Sequence, residues 1–571
     1  MSPHGQRSHG KQTQTHRARP PDATTAASPP LAVIRGWFAP FFAHTPAGVW
    51  WGGFVPCLLA AFALRVGVGL AGDWMVRPDE IFKYLEPAHL LVFGYGQVVW
   101  EFSMGYVPWL LPSVPALPML LCKILGFGHP DFYIPAVKIW NALLSLSIPA
   151  GMYLFGRRVM SEPAARLALL FGCFWHEFVI MGSHAFAEQY ASVVFFAALV
   201  LLSPAASVPR LWVAGFLLGL TFVLRFQYGP LVGVVGLTLL AAYTPARWGV
   251  IVLGGLAALV LGGAVDYLTW GRWWSPTRLI VSMIVNGVFA HVFKPENHPF
   301  HTHLVSLAGS SYGLYALAAV AVFRVRRHWL LLSMAMVVLL FHMAAPIAEY
   351  SNVFVLLPLL WMLIAAASGV FRRSRLRVGA MVATGVLAAV ASGAAFGDGV
   401  PGWPREGVPN QARSYNDHVH RLMPDEGGLF HSEEALVVSR DLGRIPAGEM
   451  RAVLWGPIGH YADGGYSYAH HRVPMLFPSR NPDHATLSHT RPANTLASHV
   501  VVRKGEALPG FSLTREYGRV ALLVNDTPEA VQVPDTFSTD FGTRFDRLVL
   551  RASRELKVEF PEPVRAFLFP E

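Results

Sequence analysis

The sequence predicts an α-helical polytopic membrane protein of about eleven transmembrane helices, followed by a C-terminal extracytoplasmic α/β domain. Three observations lead there. Hydrophobic residues fill 53% of the 571 positions and charged residues only 14%, whereas a soluble domain carries about 25% charged residues. Apolar runs long enough to cross a bilayer recur between residues 50 and 396. Arginines gather in alternate loops between those runs, the positive-inside bias of a membrane topology.

Residues 1–36 are polar, basic and rich in Pro, Ala and Thr, which predicts a disordered cytoplasmic tail. The first apolar run begins too far in for a cleavable signal peptide and reads as a retained span. A span needs about 20 apolar residues. Runs of that kind lie near 50–71, 133–155, 164–182, 187–203, 210–227, 229–244, 248–267, 309–325, 329–347, 350–370 and 378–396. The run 105–126 is also apolar, but Pro108, Pro112, Pro115 and Pro118 interrupt it. Proline removes a helix donor and clashes with the preceding turn, so this run reads as re-entrant or surface-lying.

With the basic tail in the cytoplasm, alternate counting puts Arg157, Arg158, Arg210, Arg247, Arg324, Arg326, Arg327, Arg372, Arg373, Arg375 and Arg377 on the cytoplasmic side. A crossing at 105–126 would move every later basic loop outside, so the charge pattern decides against it. The formal net charge of +10 therefore reads as topology rather than nucleic-acid binding. The transmembrane domain occupies 37–396, with outer loops at 72–132 and 268–308, and residues 397–571 form the outer domain. There Ala435–Ser439, Met450–Trp455, His499–Val502, Val520–Val524 and Leu548–Leu550 read as β-like runs between Gly/Pro turns, and 410–423 as one amphipathic helix. The three cysteines, Cys57, Cys122 and Cys173, lie in apolar segments and give neither a disulfide framework nor a metal spacing.

The stretch Arg77-Pro-Asp-Glu-Ile-Phe-Lys-Tyr-Leu-Glu86 places three carboxylates within eight residues at the outer membrane edge. Acids there are costly to keep and are usually functional. The same depth receives Trp100 and Glu101, then His184, Glu188 and Gln189, then Arg225 and Gln227, and then Asp266. Asn286, His291, His298, His301 and His303 follow, and Glu349 begins a later span. These residues predict a cleft of acids, histidines and one arginine. Structural readings stand beside the functional ones: Asp79 or Glu80 caps the helix after Pro78, and Arg225 snorkels to the interface. The cluster His298-Pro-Phe-His-Thr-His303 has no third-ligand pattern, so no metal site is assigned.

RPDEIFKYLEPAH (77–89) followed by VVWEF (98–102) resembles the first-loop signature of glycosyltransferase family 22, the GT-C mannosyltransferases of glycosylphosphatidylinositol-anchor and N-glycan assembly and their bacterial relatives. Arg77 stands where the family usually has His, and Lys83 where it has Gln. Asp266-Tyr-Leu-Thr-Trp-Gly271 resembles the family's Asp-Arg-x-x-Tyr-Gly element, with Asn286 at its following asparagine. HPFHTH (298–303) resembles the family's HPWHWY, and FVLRFQ (222–227) a segment ending in an arginine at the outer edge. AEYSNVFVLLPLL (348–360) resembles the later HKExRF…P region at Glu349 and Pro358, whereas Ile347, Ala348 and Ser351 depart from it. The resemblance covers about 77–360 and leaves 397–571 unaddressed.

The resemblance implies a GT-C fold, no cofactor, and transfer of a sugar, mannose in the family, from a polyprenyl-phosphate donor to a glycolipid or glycan acceptor by inversion. In a bacterium the site would face the periplasm from the inner membrane. A lipid phosphate leaves as a stabilised anion and needs no strong general acid, so one carboxylate suffices to take the acceptor proton, unlike the pair used in glycoside hydrolysis. Asp79 is assigned as that base, with Glu80 positioning it or binding an acceptor hydroxyl. Arg225 and His301 are assigned to the donor phosphate, and Trp100 to a sugar face. Glu86, Glu101, Asp266, Asn286, His298 and Glu349 complete the expected donor and acceptor contacts. The competing readings are another GT-C transferase moving aminoarabinose or an oligosaccharide, a transporter of lipid-linked sugar, and a pseudoenzyme whose C-terminal domain recruits partners. A transporter would show internal repeats and mid-membrane polar residues, and no convincing repeat is seen.

Overall fold

The computed structural model describes residues 49–71, 73, 79–97, 99, 102, 105–203, 205–288, 303–304, 307, 311, 313–344, 350–368, 374–399, 433–446, 448–455, 464–476, 497–518 and 520–531. The tail 1–36, the segment 410–423 and Leu548–Leu550 lie outside them.

Helix α1 (Trp51–Leu70) is 20 residues long, about 30 Å at 1.5 Å per residue. It buries Gly53, Phe54, Ala61, Arg65 and Val68 along one side and leaves Leu59, Leu64 and Leu70 exposed, the apolar outer face of a helix that meets lipid. The buried Arg65 guanidinium donates to Ser145 Oγ and to the Gly172 carbonyl, each at 2.7 Å. After the first loop come α2 (Glu86–Phe93) and α3 (Ser113–Ile124). Helix α3 has 12 residues, about 18 Å, too short to span. It exposes Leu117, Leu120, Leu121 and Ile124, as a helix lying in the interface does.

The core of the bundle is α4 (Pro130–Ser145), α5 (Ser147–Val159), α6 (Glu162–Phe174), α7 (His176–Met181) and α8 (Ala187–Leu201). Next come α9 (Val208–Leu224), α10 (Gly229–Ala242), α11 (Pro245–Trp270) and α12 (Ser275–Val285), then α13 (Val325–Ala344), α14 (Leu356–Ser368) and α15 (Ser374–Gly399). By length and composition, three stretches among the described residues can cross a membrane: Trp51–Leu70, Pro130–Val159 and Pro245–Trp270. Shorter apolar helices pack around them.

Basic loops meet at one end of this bundle. Arg158 and Arg210 both donate to the Val200 carbonyl at the end of α8, and Arg247 donates to the Ala206 carbonyl. At the other end α9 and α11 finish side by side. They run parallel and touch through glycine: a Cβ at Gly215 would lie 1.9 Å from the Ile251 carbonyl oxygen, and one at Gly254 2.1 Å from that of Trp212. Small residues are what let membrane helices approach so closely. The consequence is that Arg225, just after α9, and Asp266, near the end of α11, share one depth.

Residues 433–531 build a five-stranded mixed sheet with α16 (Glu433–Gly443) against it. Its strands are β1 (Val453–Trp455), β2 (Met475–Leu476), β3 (His499–Arg503), β4 (Phe511–Tyr517) and β5 (Val520–Asn525), in the order β2-β1-β3-β5-β4. β1 is parallel to β2 and β3, while β5 is antiparallel to β3 and β4. Between β1 and β2 lies the short helix α17 (Gly465–Ala469). The run Ala435–Ser439, expected as a strand, is helical. Its buried residues Ala435, Val438 and Leu442 pack on Val453, Trp455, Val501 and Leu522, and a spacing of three and four is the helical period.

Candidate active site

A cleft of about 790 Å³, open to solvent, lies at the end of the bundle opposite the arginine loops. Asp79, Lys83, Tyr84, Arg225, Gln227, Asp266 and Trp274 are among its lining residues. Three of the residues singled out in the sequence, Asp79, Arg225 and Asp266, are therefore brought together from positions up to 187 apart.

Asp79 precedes a π turn at Glu80–Leu85, which runs directly into α2. A π turn inserts one extra residue into a helix and is frequent at functional sites. Successive residues of a helical turn project in different directions, so the two adjacent carboxylates face different surroundings. Asp79 faces the cleft, with its Oδ2 2.8 Å from Lys83 Nζ and both side chains about a quarter exposed. Glu80 turns inward and is 5% exposed. Its oxygens accept from His184 Nδ1 at 2.7 and 2.8 Å and from the Ala185 amide at 3.3 Å. It does not line the cleft.

Arg225 does not simply reach for the interface. The backbone turns extended at Arg225 (φ −146°, ψ 93°), ending α9, and Nη2 lies 2.9 Å from Oε1 of Glu188, which is 1% exposed. The same nitrogen donates to Asn352 Oδ1. The guanidinium is thus fixed by α8 and by the turn before α14. Asp266 is 5% exposed, and its Oδ1 has no hydrogen-bond partner among the described residues.

Beside the cleft, and sharing Phe222, Leu259, Trp274 and Thr277 with it, lies a wider groove of about 1410 Å³. Its walls are mainly apolar, and Arg272, Arg278 and Asn286 are its polar members, along with small hydroxyl side chains. Asn286 thus belongs to this groove, where its Nδ2 is 3.1 Å from Ser282 Oγ. Trp274 is one of the four residues that line both spaces. It holds φ at 53°, unusual for a bulky residue, and its indole N–H donates to the Leu259 carbonyl at 2.8 Å. The indole lies so close to Gly263 that a Cβ there would sit 2.5 Å from Nε1.

Glu86 is fully buried away from the cleft, against the C-terminal domain. His303 is buried with its ring 6.2 Å from that of His342. Trp100, Glu101, His291, His298, His301 and Glu349 lie outside the described residues. Sequence reasoning passed over Lys83, Trp274 and Asn352 as site residues. Lys83 was visible only as an odd residue in a signature, and Trp274 and Asn352 carry no local signal. Among the described residues no group of three or more His, Cys, Asp or Glu is arranged to hold a metal ion.

A carboxylate at the cleft surface, a tethered guanidinium at the same depth and an adjoining apolar groove with arginines suit proton abstraction beside a lipid-borne anion. Comparison with known proteins gives the family. Residues 57–396 match the model of the Alg9-like mannosyltransferase family. GPI mannosyltransferase 3 of Yarrowia lipolytica is 30% identical over 221 residues, 38% of this chain and 43% of that protein. Alpha-1,2-mannosyltransferase ALG9 of Arabidopsis thaliana is 26% identical over 242 residues, 39% of each. The matched region thus spans less than half the length of these relatives. The crystal structure of ArnT from Cupriavidus metallidurans bound to undecaprenyl phosphate superposes with a TM-score of 0.54 at 13% identity, over 83% of this chain and 98% of that one.

Proposed function

Because the chain belongs to the Alg9-like mannosyltransferase family, we propose that it moves a sugar, mannose, from a polyprenyl-phosphate donor to a hydroxyl of a glycolipid or glycan, with inversion. It is an integral membrane protein with the helical GT-C fold. The reaction is assigned to the extracytoplasmic face, the periplasmic side in a bacterium, because the cleft and the arginine loops lie at opposite ends of the bundle.

The observation that carries this reading is Asp79, a carboxylate exposed to the same cleft as Arg225 and Asp266. In the proposed step the acceptor oxygen attacks the anomeric carbon from the face opposite the phosphate, and Asp79 takes the hydroxyl proton. As the new carbon–oxygen bond forms, the bond to phosphate breaks and its electron pair leaves on the polyprenyl phosphate. That group departs as a stable anion, so one base suffices. Lys83 pins the Asp79 carboxylate at 2.8 Å. Asp266 offers a buried acceptor oxygen to a sugar hydroxyl. Arg225, oriented by Glu188 and Asn352, steadies the leaving phosphate, a role His301 shares on the family resemblance. The neighbouring groove supports a lipid-phosphate donor: its apolar walls suit an isoprenoid chain, and Arg272 and Arg278 suit an anionic headgroup. A protein of the same fold is bound to undecaprenyl phosphate.

The test is transfer from a polyprenyl-phosphate sugar in reconstituted liposomes. Asp79→Asn should keep donor binding and lose transfer by roughly 10²-fold or more. Turnover retained in that variant would remove Asp79 from the role. Mass spectrometry of envelope glycolipids after gene deletion separates single-sugar transfer, seen as a glycan short by one hexose, from ligation of a complete glycan.

A further inference from the structure

Glu86, the residue that follows the π turn and opens α2, carries a fully buried carboxylate that does not line the cleft. Its Oε2 accepts from the Gln97 amide at 2.7 Å, which folds the rest of the first loop back over it. Its Oε1 accepts from the amide of Ser467, 381 residues further on, in helix α17 of the C-terminal domain. Unpaired, a buried carboxylate would be costly, and these two amides are among the partners that allow it to sit there.

The opposing surface is shaped for this carboxylate. Gly465 holds φ at 60°, and a Cβ there would stand 2.4 Å from Glu86 Oε1. Only glycine permits both the backbone angle and the approach. Around the contact, Tyr133 on α4 donates its hydroxyl to the Ser467 carbonyl. Leu436 and Tyr468 of the C-terminal domain join Ile81, Phe82, Leu85 and Ala88 in one apolar cluster, so the C-terminal domain supplies part of the core beneath the π turn. Arg440, on α16, lies 3.1 Å from Asp73 and 3.7 Å from Asp131, outside that cluster.

We propose that Glu86 is a positioning residue through which the C-terminal domain holds the π turn, and with it Asp79, in the geometry the reaction needs. Glu86 touches no substrate in this assignment. The C-terminal domain is then a part of the catalytic unit rather than an appended module. The proposal rests on sugar transfer as the activity, and it deepens that reading by giving residues 433–531 a role in it.

The experiment uses the full-length protein in liposomes with a polyprenyl-phosphate mannose donor and a glycolipid acceptor. Glu86→Gln, Gly465→Ala, their double variant and Tyr133→Phe are compared by steady-state kinetics and by amide hydrogen exchange. Misplacing a catalytic group by about 1 Å can lower rate by up to about 10²-fold. The expected result is a kcat about tenfold lower in each of the first two variants, with both KM values within about twofold of wild type. The double variant should be no worse than the poorer single one, because both changes break one contact. Tyr133→Phe should show a smaller fall in kcat, and amides 80–86 should exchange faster in every variant. A raised KM in Glu86→Gln with wild-type behaviour in Gly465→Ala would make Glu86 a substrate ligand and overturn the proposal. Wild-type kcat and exchange in both would overturn it equally. If those two variants do not assemble, Tyr133→Phe decides: unchanged kcat and exchange there count against it. A wild-type protein that transfers no sugar refutes the activity, while the exchange data still report whether the contact holds the turn.

Discussion

Asp79 and Glu80 are neighbours in the chain with opposite surroundings, because successive residues of a helical turn project in different directions. One side chain reaches solvent in the cleft beside Lys83, and the other meets the buried His184 ring. Substitution should therefore separate them. Asp79→Asn should leave the melting temperature near wild type, because an exposed pair contributes about 0–1 kcal/mol. Glu80→Ala should lower stability by about 3–5 kcal/mol, the usual cost of stranding one member of a buried hydrogen-bonded pair. Thermal unfolding in detergent measures both, and equal shifts would count against this division of roles. Asp79 was legible in the sequence because the motif around it is local. The Glu188–Arg225 pair was not, although both residues were noted as lying at the outer edge. Nothing in the 36 residues of intervening chain says that one carboxylate will hold that guanidinium.

The elements that set the site's width are α9 and α11. Their glycines bring the backbones into contact, which holds Arg225 level with Asp266. Gly215→Ala would drive a methyl group toward the Ile251 carbonyl and should cost about 1–3 kcal/mol, the range for overpacking. It should also lower turnover by moving Arg225 relative to Asp266. Gly52→Ala, which meets nothing within 4 Å, serves as the neutral comparison in the same melting and transfer assays. At this scale hydropathy was a good guide to where helices lie, since a long apolar run has few alternatives. It failed at Ala435–Ser439, where five residues are too few to tell a buried helix face from a strand. The flanking Leu442 and Glu434 decide the matter only once the sheet is present to receive the apolar side.

At the scale of the whole molecule, the first loop and the C-terminal domain meet at a seam of buried histidines. His89 Nδ1 lies 2.8 Å from the Tyr95 carbonyl oxygen, and its Nε2 lies 3.0 Å from His470 Nδ1. Burial pushes His89 down to about 3 and His470 down to about 4. His471 is also pushed down by burial, Lys123 and Arg472 add nearby positive charge, and the His129 ring lies 6.3 Å from that of His470. An unfolded histidine titrates near about 6.5. Between those values the unfolded chain binds more protons than the folded one, so stability rises with pH through this window. The seam should be at full strength above about pH 6.5 and weaken as pH falls toward about 4. The thermal unfolding midpoint in detergent, followed from pH 7.5 to 4.5, should fall on acidification and fall less in His470→Gln. A flat profile in the wild type would show that these histidines titrate in the folded protein as they do in the unfolded chain, and would overturn this account.

Taken alone, the sequence determined that this is a helical membrane protein, where its apolar elements lie, which end of the bundle is basic, and that Asp79 is the residue to question first. These depend on composition, hydropathy and local motif, all of which are properties of short stretches of chain. Only the tertiary structure decided that Glu80 and Glu86 are buried on His184 and Ser467, that Glu188 and Asn352 hold Arg225, and that Trp274 lines both a cleft and the groove beside it. A carboxylate's sequence neighbours say little about its partner, because the partner is chosen by whichever distant segment the packed helices bring within hydrogen-bonding distance.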